Sequence, residues 1–247
     1  MMELADAGLH SALKEPWQYH RKLWEYLIVA KGFEQTSRKV GARAIGFGVG
    51  REPLASYFAS LGANVVATDG VTADTATHWI ETGQYGGSLE ALNERRIVNS
   101  ADFAAQVAFR TVDMRRIPRD LRIGGFDFSW SCCAFEHLGS LEAGLEFFVE
   151  QMDCLRLGGW AFHTTEFNLS SNNETLSTGG VVAYRRQDIE RLIARLQALG
   201  HFVLPPAWRF LRDTDQALPA TEPHLTLQLG PYAVTSFLVA ARKGMPR

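Results

Sequence analysis

An apolar run, Arg43-Ala44-Ile45-Gly46-Phe47, leads directly into Gly48-Val49-Gly50, and a helical pattern opens at Glu52. Few chain segments limit a fold more than this one. Glycines at alternate positions after a strand let the backbone turn tightly, and they clear the side chains from the start of the next helix. Free N–H groups at such a helix start face an anion or a polar group. The segment therefore reads as the first strand–turn–helix of an α/β domain, with a ligand at the turn.

The rest of the chain repeats this alternation. Asn64–Thr68, Val107–Val112, Phe126–Ser131 and Trp160–Thr165 read as strands, as do His201–Leu204 and Val234–Ala240. Helical spacing of apolar residues runs through Glu52–Leu61, through Ser140–Leu155 as far as Gly158-Gly159, and through Arg186–Leu199. Strands alternating with helices imply βαβ units: a Rossmann-like, seven-stranded, mostly parallel sheet with helices on both faces. The last two strands have no helical pattern between them, so they are expected to pair antiparallel at the sheet edge, with the last strand antiparallel. The first forty residues read as a helical extension, with Leu23, Trp24, Leu27 and Ile28 as its apolar face; it is either a lid or a helix packed on the core. The expected organisation is a helical cap over 1–40 and one α/β domain over 41–247, with insertions at about 74–103 and 205–231.

Composition narrows the function. A net charge of −2 gives no basic footprint for a polynucleotide, so no nucleic acid partner is expected. The chain shows neither a stretch apolar enough to span a membrane nor a signal-peptide pattern at its start. Three cysteines, Cys132, Cys133 and Cys154, suit a reducing compartment and packing rather than a disulfide framework. A soluble, cytoplasmic protein with no membrane partner is expected.

Asp69 ends the second strand, where a carboxylate can accept both hydroxyls of a ribose. A dinucleotide fingerprint would require glycine at position 51, and Arg51 stands there. From Ala44 to Phe167 the chain resembles the class I S-adenosylmethionine-dependent methyltransferases, loosely those of sugar and polysaccharide pathways. The resemblance rests on Gly46-Phe47-Gly48-Val49-Gly50, Thr68-Asp69, Val112-Asp113-Met114 with Ile117-Pro118, Phe126-Asp127 through Ser131, Glu136-His137-Leu138, and Leu155 through Gly159 in that order. It implies S-adenosylmethionine as cofactor. It also implies that Gly46, Phe47, Gly48 and Gly50 contact the methionine portion, Asp69 with Gly70 the ribose, and Asp113 and Met114 the adenine. Ser131 and Cys132 would line the path to the sulfonium. The family usually places an acidic residue two positions before the first glycine, where this chain has Ala44.

Methyl transfer to oxygen calls for alignment and a proton acceptor. His137 is the first candidate because its ordinary pKa lies near neutrality. Glu136 either orients it or faces solvent, the second being favoured. His163 and Glu166, three apart on a strand, point to opposite faces, so no metal site is expected. The polar segment Asn168–Val182, with Tyr184, Arg185, Trp208 and Arg209 beyond it and Trp17, Tyr19 and His20 before the first strand, resembles the wall of a carbohydrate site. A small-molecule or carbohydrate acceptor methylated on oxygen is the expectation. The alternatives are N-methylation of an amino sugar or amine, a nicotinamide oxidoreductase, and a non-catalytic binding protein of the same fold.

Overall fold

The computed structural model describes residues 21–70, 86–208 and 225–245. Eight strands form one sheet: β1 (Arg43–Phe47), β2 (Asn64–Asp69), β3 (Val107–Thr111), β4 (Phe126–Cys132), β5 (Leu155–Asn168), β6 (Phe202–Val203), β7 (Thr226–Leu229) and β8 (Tyr232–Arg242). The order is β3-β2-β1-β4-β5-β8-β6, with β7 paired to β8 outside that path. β1 to β5 are parallel, and β8 runs antiparallel to β5, β6 and β7. The order reverses between β1 and β4, and in open α/β sheets that switch point opens the crevice where ligands bind.

The expected mostly parallel sheet with an antiparallel last strand is present, and two details differ. The sheet has eight strands, because a four-residue strand sits inside the Pro-containing segment read as a connection and folds back on β8 through Gly230 (φ +56°). The expected antiparallel pair at the sheet edge is present: β8 pairs with the two-residue edge strand β6, and on its other side with β5. Gly158-Gly159 does not cap a helix. The helix α6 (Leu141–Gln151) ends in a 3-10 turn, Met152–Cys154, and the two glycines lie within β5, where its register with β4 shifts and Gly158 adopts φ +78°.

Helices cover both faces. On one lie α1 (Arg21–Thr36), α2 (Leu54–Ser60), α3 (Leu89–Leu92) and α4 (Ser100–Gln106); on the other lie α6 and α7 (Arg186–Ala198), with the short α5 (Arg119–Arg122) leading into β4. The segment from Gly86 to β3, read as part of an insertion, thus contains two short helices capped by the side chains of Ser88 and Asn99.

α1 buries a different face from the one its apolar residues suggested. Leu23, Leu27 and Ile28 are half-buried and Trp24 is exposed, while Glu25, Val29, Ala30, Gly32 and Phe33 face the sheet. Phe33 stacks on Phe58 at 4.3 Å and meets Phe128 edge-on at 5.4 Å. Gly32 permits the approach, since a Cβ there would lie 2.4 Å from the Phe162 ring. Phe33→Ala removes a fully buried ring and is expected to cost about 3–5 kcal/mol, read from the urea midpoint of unfolding.

Candidate active site

At the switch point, β1 gives way to Gly48 (φ +58°) and Gly50 (φ +51°), conformations that strain any L side chain. The turn is clamped to β2: Val49 donates its N–H to the Thr68 carbonyl at 3.1 Å, and the Thr68 hydroxyl donates to the Gly46 carbonyl at 2.7 Å. Space decides the glycines as well. A Cβ on Gly46 would stand 2.4 Å from Trp130, and one on Gly48 would stand 2.7 Å from Ala134 Cβ and 3.3 Å from Met114 Sδ. The loop after β1 and the turn after β4 therefore meet without side chains between them.

Around this turn the sequence-assigned residues take distinct places. Asp69, at the end of β2, accepts N–H bonds from Gly70 (2.9 Å) and Gly86 (3.0 Å). Burial raises its pKa while the backbone N–H groups of Gly86, Gly70 and Gly50 work against the rise. A carboxylate has about four acceptor positions, so the group retains capacity for further donors. Gly70 packs against the Val112 carbonyl, which a Cβ would approach to 2.3 Å. Met114 is buried beside Gly48. Asp113 is held by the Arg115 side chain, Nε at 3.1 Å from one oxygen and Nη2 at 3.0 Å from the other, and that bonding lowers its pKa.

Three assigned side chains face away from the turn. The Phe47 ring lies in the core, edge-on to Phe147 at 5.2 Å, which leaves its backbone alone for a ligand. Ser131 Oγ sits 2.7 Å from His163 Nδ1 on the α6 side of the sheet. Burial takes His163 down to about pKa 3, so this imidazole is neutral. The Cys132 thiol is buried on the opposite face, and its carbonyl accepts from Lys22 Nζ at 3.2 Å.

The neighbouring chemistry comes from residues far apart in the chain. Glu136 lies on the 3-10 turn Phe135–His137 and is fully buried, a correction to the expectation that it faces solvent. One of its oxygens accepts from the Thr165 hydroxyl at 3.1 Å, and Oε1 has no partner among the described residues. Burial, reinforced by Glu166, pushes its pKa up to about 8. Glu166, on β5, pairs through Oε1 with Arg21 Nη1 of α1, and its Oε2 has no partner among the described residues. Its pKa rises with burial, against the pull of Arg21. Glu25, one helical turn after Arg21, is ion-paired to Lys22 at 3.0 Å and accepts from the Ser236 hydroxyl of β8. Burial opposes its charge, but Lys22, Arg21 and Ser236 together hold its pKa below the ordinary value.

Cys133 completes the group. It adopts φ +49°, a left-handed conformation for a residue with a Cβ, directly after β4. Its Sγ and carboxylate oxygens of Glu136 and Glu166 lie within 4.8 Å of one another. Arg21 Nη1 stands 3.8 Å from that sulfur, so a guanidinium already supplies positive charge to this set. Strained backbone beside buried, incompletely bonded polar groups is a feature of functional sites.

His137 lies on the same turn but points elsewhere, with Nδ1 2.8 Å from the Gly180 carbonyl. That ring nitrogen carries the proton, and the bond ties the turn to the loop before Tyr184. Glu166 and His163 do face opposite sides of the sheet. Asn168 Oδ1 accepts from the backbone of Ser170 and Ser171, closing the loop after β5. Trp208 stacks on Phe237 at 5.2 Å beneath the Arg186 guanidinium. Trp17, Tyr19, His20 and Arg209 lie outside the described residues.

No family model and no curated protein matches the chain. Solved structures do. Magnesium protoporphyrin IX methyltransferase from Synechocystis PCC 6803, with S-adenosylhomocysteine bound, shares 12% identity over 90% of this chain and 83% of its own, at a TM-score of 0.55. The 1,6-didemethyltoxoflavin-N1-methyltransferase of Burkholderia thailandensis shares 14% identity over 98% of this chain and 86% of its own, at 0.52. The chain has the class I methyltransferase fold. The 4+2 cyclase SpnF is similar too, at 0.54 and 14% identity over 89% of this chain and 81% of its own. One fold thus hosts more than one chemistry, and function has to be argued from the site. Among the described residues, no helix is long and apolar enough to cross a membrane.

The unusual pKa of Glu136 has a consequence for stability. The folded chain holds this proton until about pH 8, whereas the unfolded chain loses it near 4.5. The unfolded state then binds fewer protons between those values, so this group makes stability fall as pH rises from about 4.5 to 8. Glu136→Gln is expected to flatten that part of the profile, measured as urea midpoints at successive pH values.

Proposed function

We propose that the chain is an S-adenosylmethionine-dependent methyltransferase acting on a hydroxyl of a sugar or another small hydroxylated metabolite. The observation that carries this reading is Glu136: a fully buried carboxyl with one oxygen unpartnered among the described residues, on the turn whose Ala134 abuts Gly48. Support for the cofactor comes from the side-chain-free turn at Gly48 and Gly50, from Asp69 at the end of β2 and from Met114 beside the turn. Two of the similar structures are of methyltransferases crystallised with S-adenosylhomocysteine.

When bound, S-adenosylmethionine supplies an activated methyl group at a sulfonium. The chain's own part is positioning and proton transfer. In the proposed reaction the acceptor oxygen gains the methyl group, the carbon–sulfur bond breaks, and the hydroxyl proton passes to Glu136 Oε1. A carboxylate with a pKa near 8 is matched to such a transfer near neutral pH, whereas an ordinary glutamate would be too weak a base. Arg21 and Glu166 act as positioning residues: their ion pair fixes the start of α1 over the strand ends and keeps a negative charge beside Glu136. His137 steadies the turn through Gly180, and Glu52, buried and bonded to the Trp130 indole, supports the wall on the far side of β4.

Glu136→Gln keeps the shape and removes the base. The expected result is a fall in kcat of about 10²–10⁴ with little change in the KM for S-adenosylmethionine, measured by S-adenosylhomocysteine release over a panel of glycans and sugar nucleotides. The wild-type rate should rise with pH toward about 8, and this rise should vanish in the variant. An active variant with nearly unchanged kcat would move the reading to N-methylation, which relies less on a base. No release with any acceptor would remove the transferase reading.

A further inference from the structure

The end of the sheet remote from the candidate site has a composition of its own. β1, β4 and β5 begin there, β8 finishes there, and the chain at each of these ends carries one exposed apolar side chain. Val40 is 91% exposed before β1, Ile123 74% exposed before β4, Leu157 52% exposed near the start of β5 and Met245 73% exposed after β8. Basic residues alternate with them: Arg38, Lys39, Arg43, Arg119, Arg156 and Arg242 are all exposed.

Shared acidic partners join these loops into one surface. Asp127, at the start of β4, receives Lys39 Nζ at 2.8 Å and Arg156 Nε, while Arg43 donates its backbone N–H to the other oxygen. Arg122 pairs with Asp153 at 2.7 Å, and Lys243 Nζ donates to the carbonyl of the same residue. Arg119, Arg122, Ile123 and Asp153 line a shallow depression of about 500 Å³. Arg38, Arg119 and Arg242 have no acidic partner among the described ion pairs. In a chain of net charge −2, this end is a basic island.

We infer that this end of the sheet docks on an anionic lipid surface, its arginines and lysines meeting the headgroups and Val40, Ile123, Leu157 and Met245 reaching the acyl boundary. Charge complementarity selects an anionic partner. Two features favour a bilayer over an acidic protein. The apolar groups are single tips on separate loops rather than one continuous patch, and each is flanked by cations, as in interfacial anchors. The geometry leaves the opposite strand ends, where Gly48 and the Glu136 turn lie, on the side away from the bilayer. This inference does not depend on the methyltransferase reading.

The test is co-sedimentation of the full chain with phosphatidylcholine vesicles, with and without phosphatidylglycerol, at low and high salt. Binding is expected only to the phosphatidylglycerol vesicles, with loss at high salt. Each of Arg38→Glu and Arg119→Glu should weaken it about fivefold or more. Ile123→Asp should weaken it as well, while unfolding midpoints stay unchanged because all three side chains are exposed. Binding to neutral vesicles alone, or no binding to anionic ones, would overturn the inference. Retention on polyglutamate without vesicle binding would assign the face to an acidic protein and overturn it equally. Full binding by the variants would also contradict it.

Discussion

The contact between Arg21 and Glu166 is the one on which the candidate site depends. It joins the first turn of α1 to the end of β5, and both side chains are largely withdrawn from water. A buried carboxylate is costly unless paired, and among the described residues Glu25, Glu136 and Glu166 are answered by Arg21 and Lys22. A proton lessens the imbalance: burial and the neighbouring Glu166 favour the neutral form of Glu136. The high pKa of Glu136 is thus the arrangement's means of closing α1 over the strand ends with less uncompensated charge. The same property would make Glu136 a competent base in the molecules that have lost this proton to solvent, a fraction that grows as pH approaches 8.

The glycine turn and the turn that carries Glu136 meet at Ala134, which a Cβ on Gly48 would approach to 2.7 Å. Thr68 fixes the turn from the β2 side, and Ala134 limits it from the β4 side. Near this meeting point Cys133 adopts the left-handed region, which strains a residue with a Cβ, whereas Gly48 and Gly50 adopt it at no steric cost. Local strain is retained only when the surroundings over-determine it. Here the surroundings are the sheet itself, since Cys133 donates its N–H to the Thr164 carbonyl at 3.1 Å as β4 ends against β5.

Much of this was legible in the chain. The β1 turn was, because glycine spacing after an apolar run has a local cause in backbone conformation. The parallel sheet was, because buried strands read as continuous apolar runs. β7 was hidden because four residues inside a Pro-containing segment give too short a pattern. The buried face of α1 was hidden because its centre is Glu25, and a fully buried glutamate looks like a surface residue until Lys22, Arg21 and Ser236 are placed around it. The cluster itself has no periodicity to read: Arg21 and Glu166 stand 145 positions apart. The one available hint was Glu136 beside His137, and chain adjacency drew attention to the histidine, whereas the turn directs the histidine to Gly180 and the glutamate inward.

The central claim is that the crevice at Gly48, Asp69 and Met114 receives S-adenosylmethionine. Isothermal titration of the full chain with S-adenosylhomocysteine tests it most directly. The account predicts one-to-one binding that Gly48→Val abolishes, since a branched side chain at φ +58° would collide with Ala134. Absence of binding by the wild-type chain, or undiminished binding by a folded Gly48→Val variant, would contradict it.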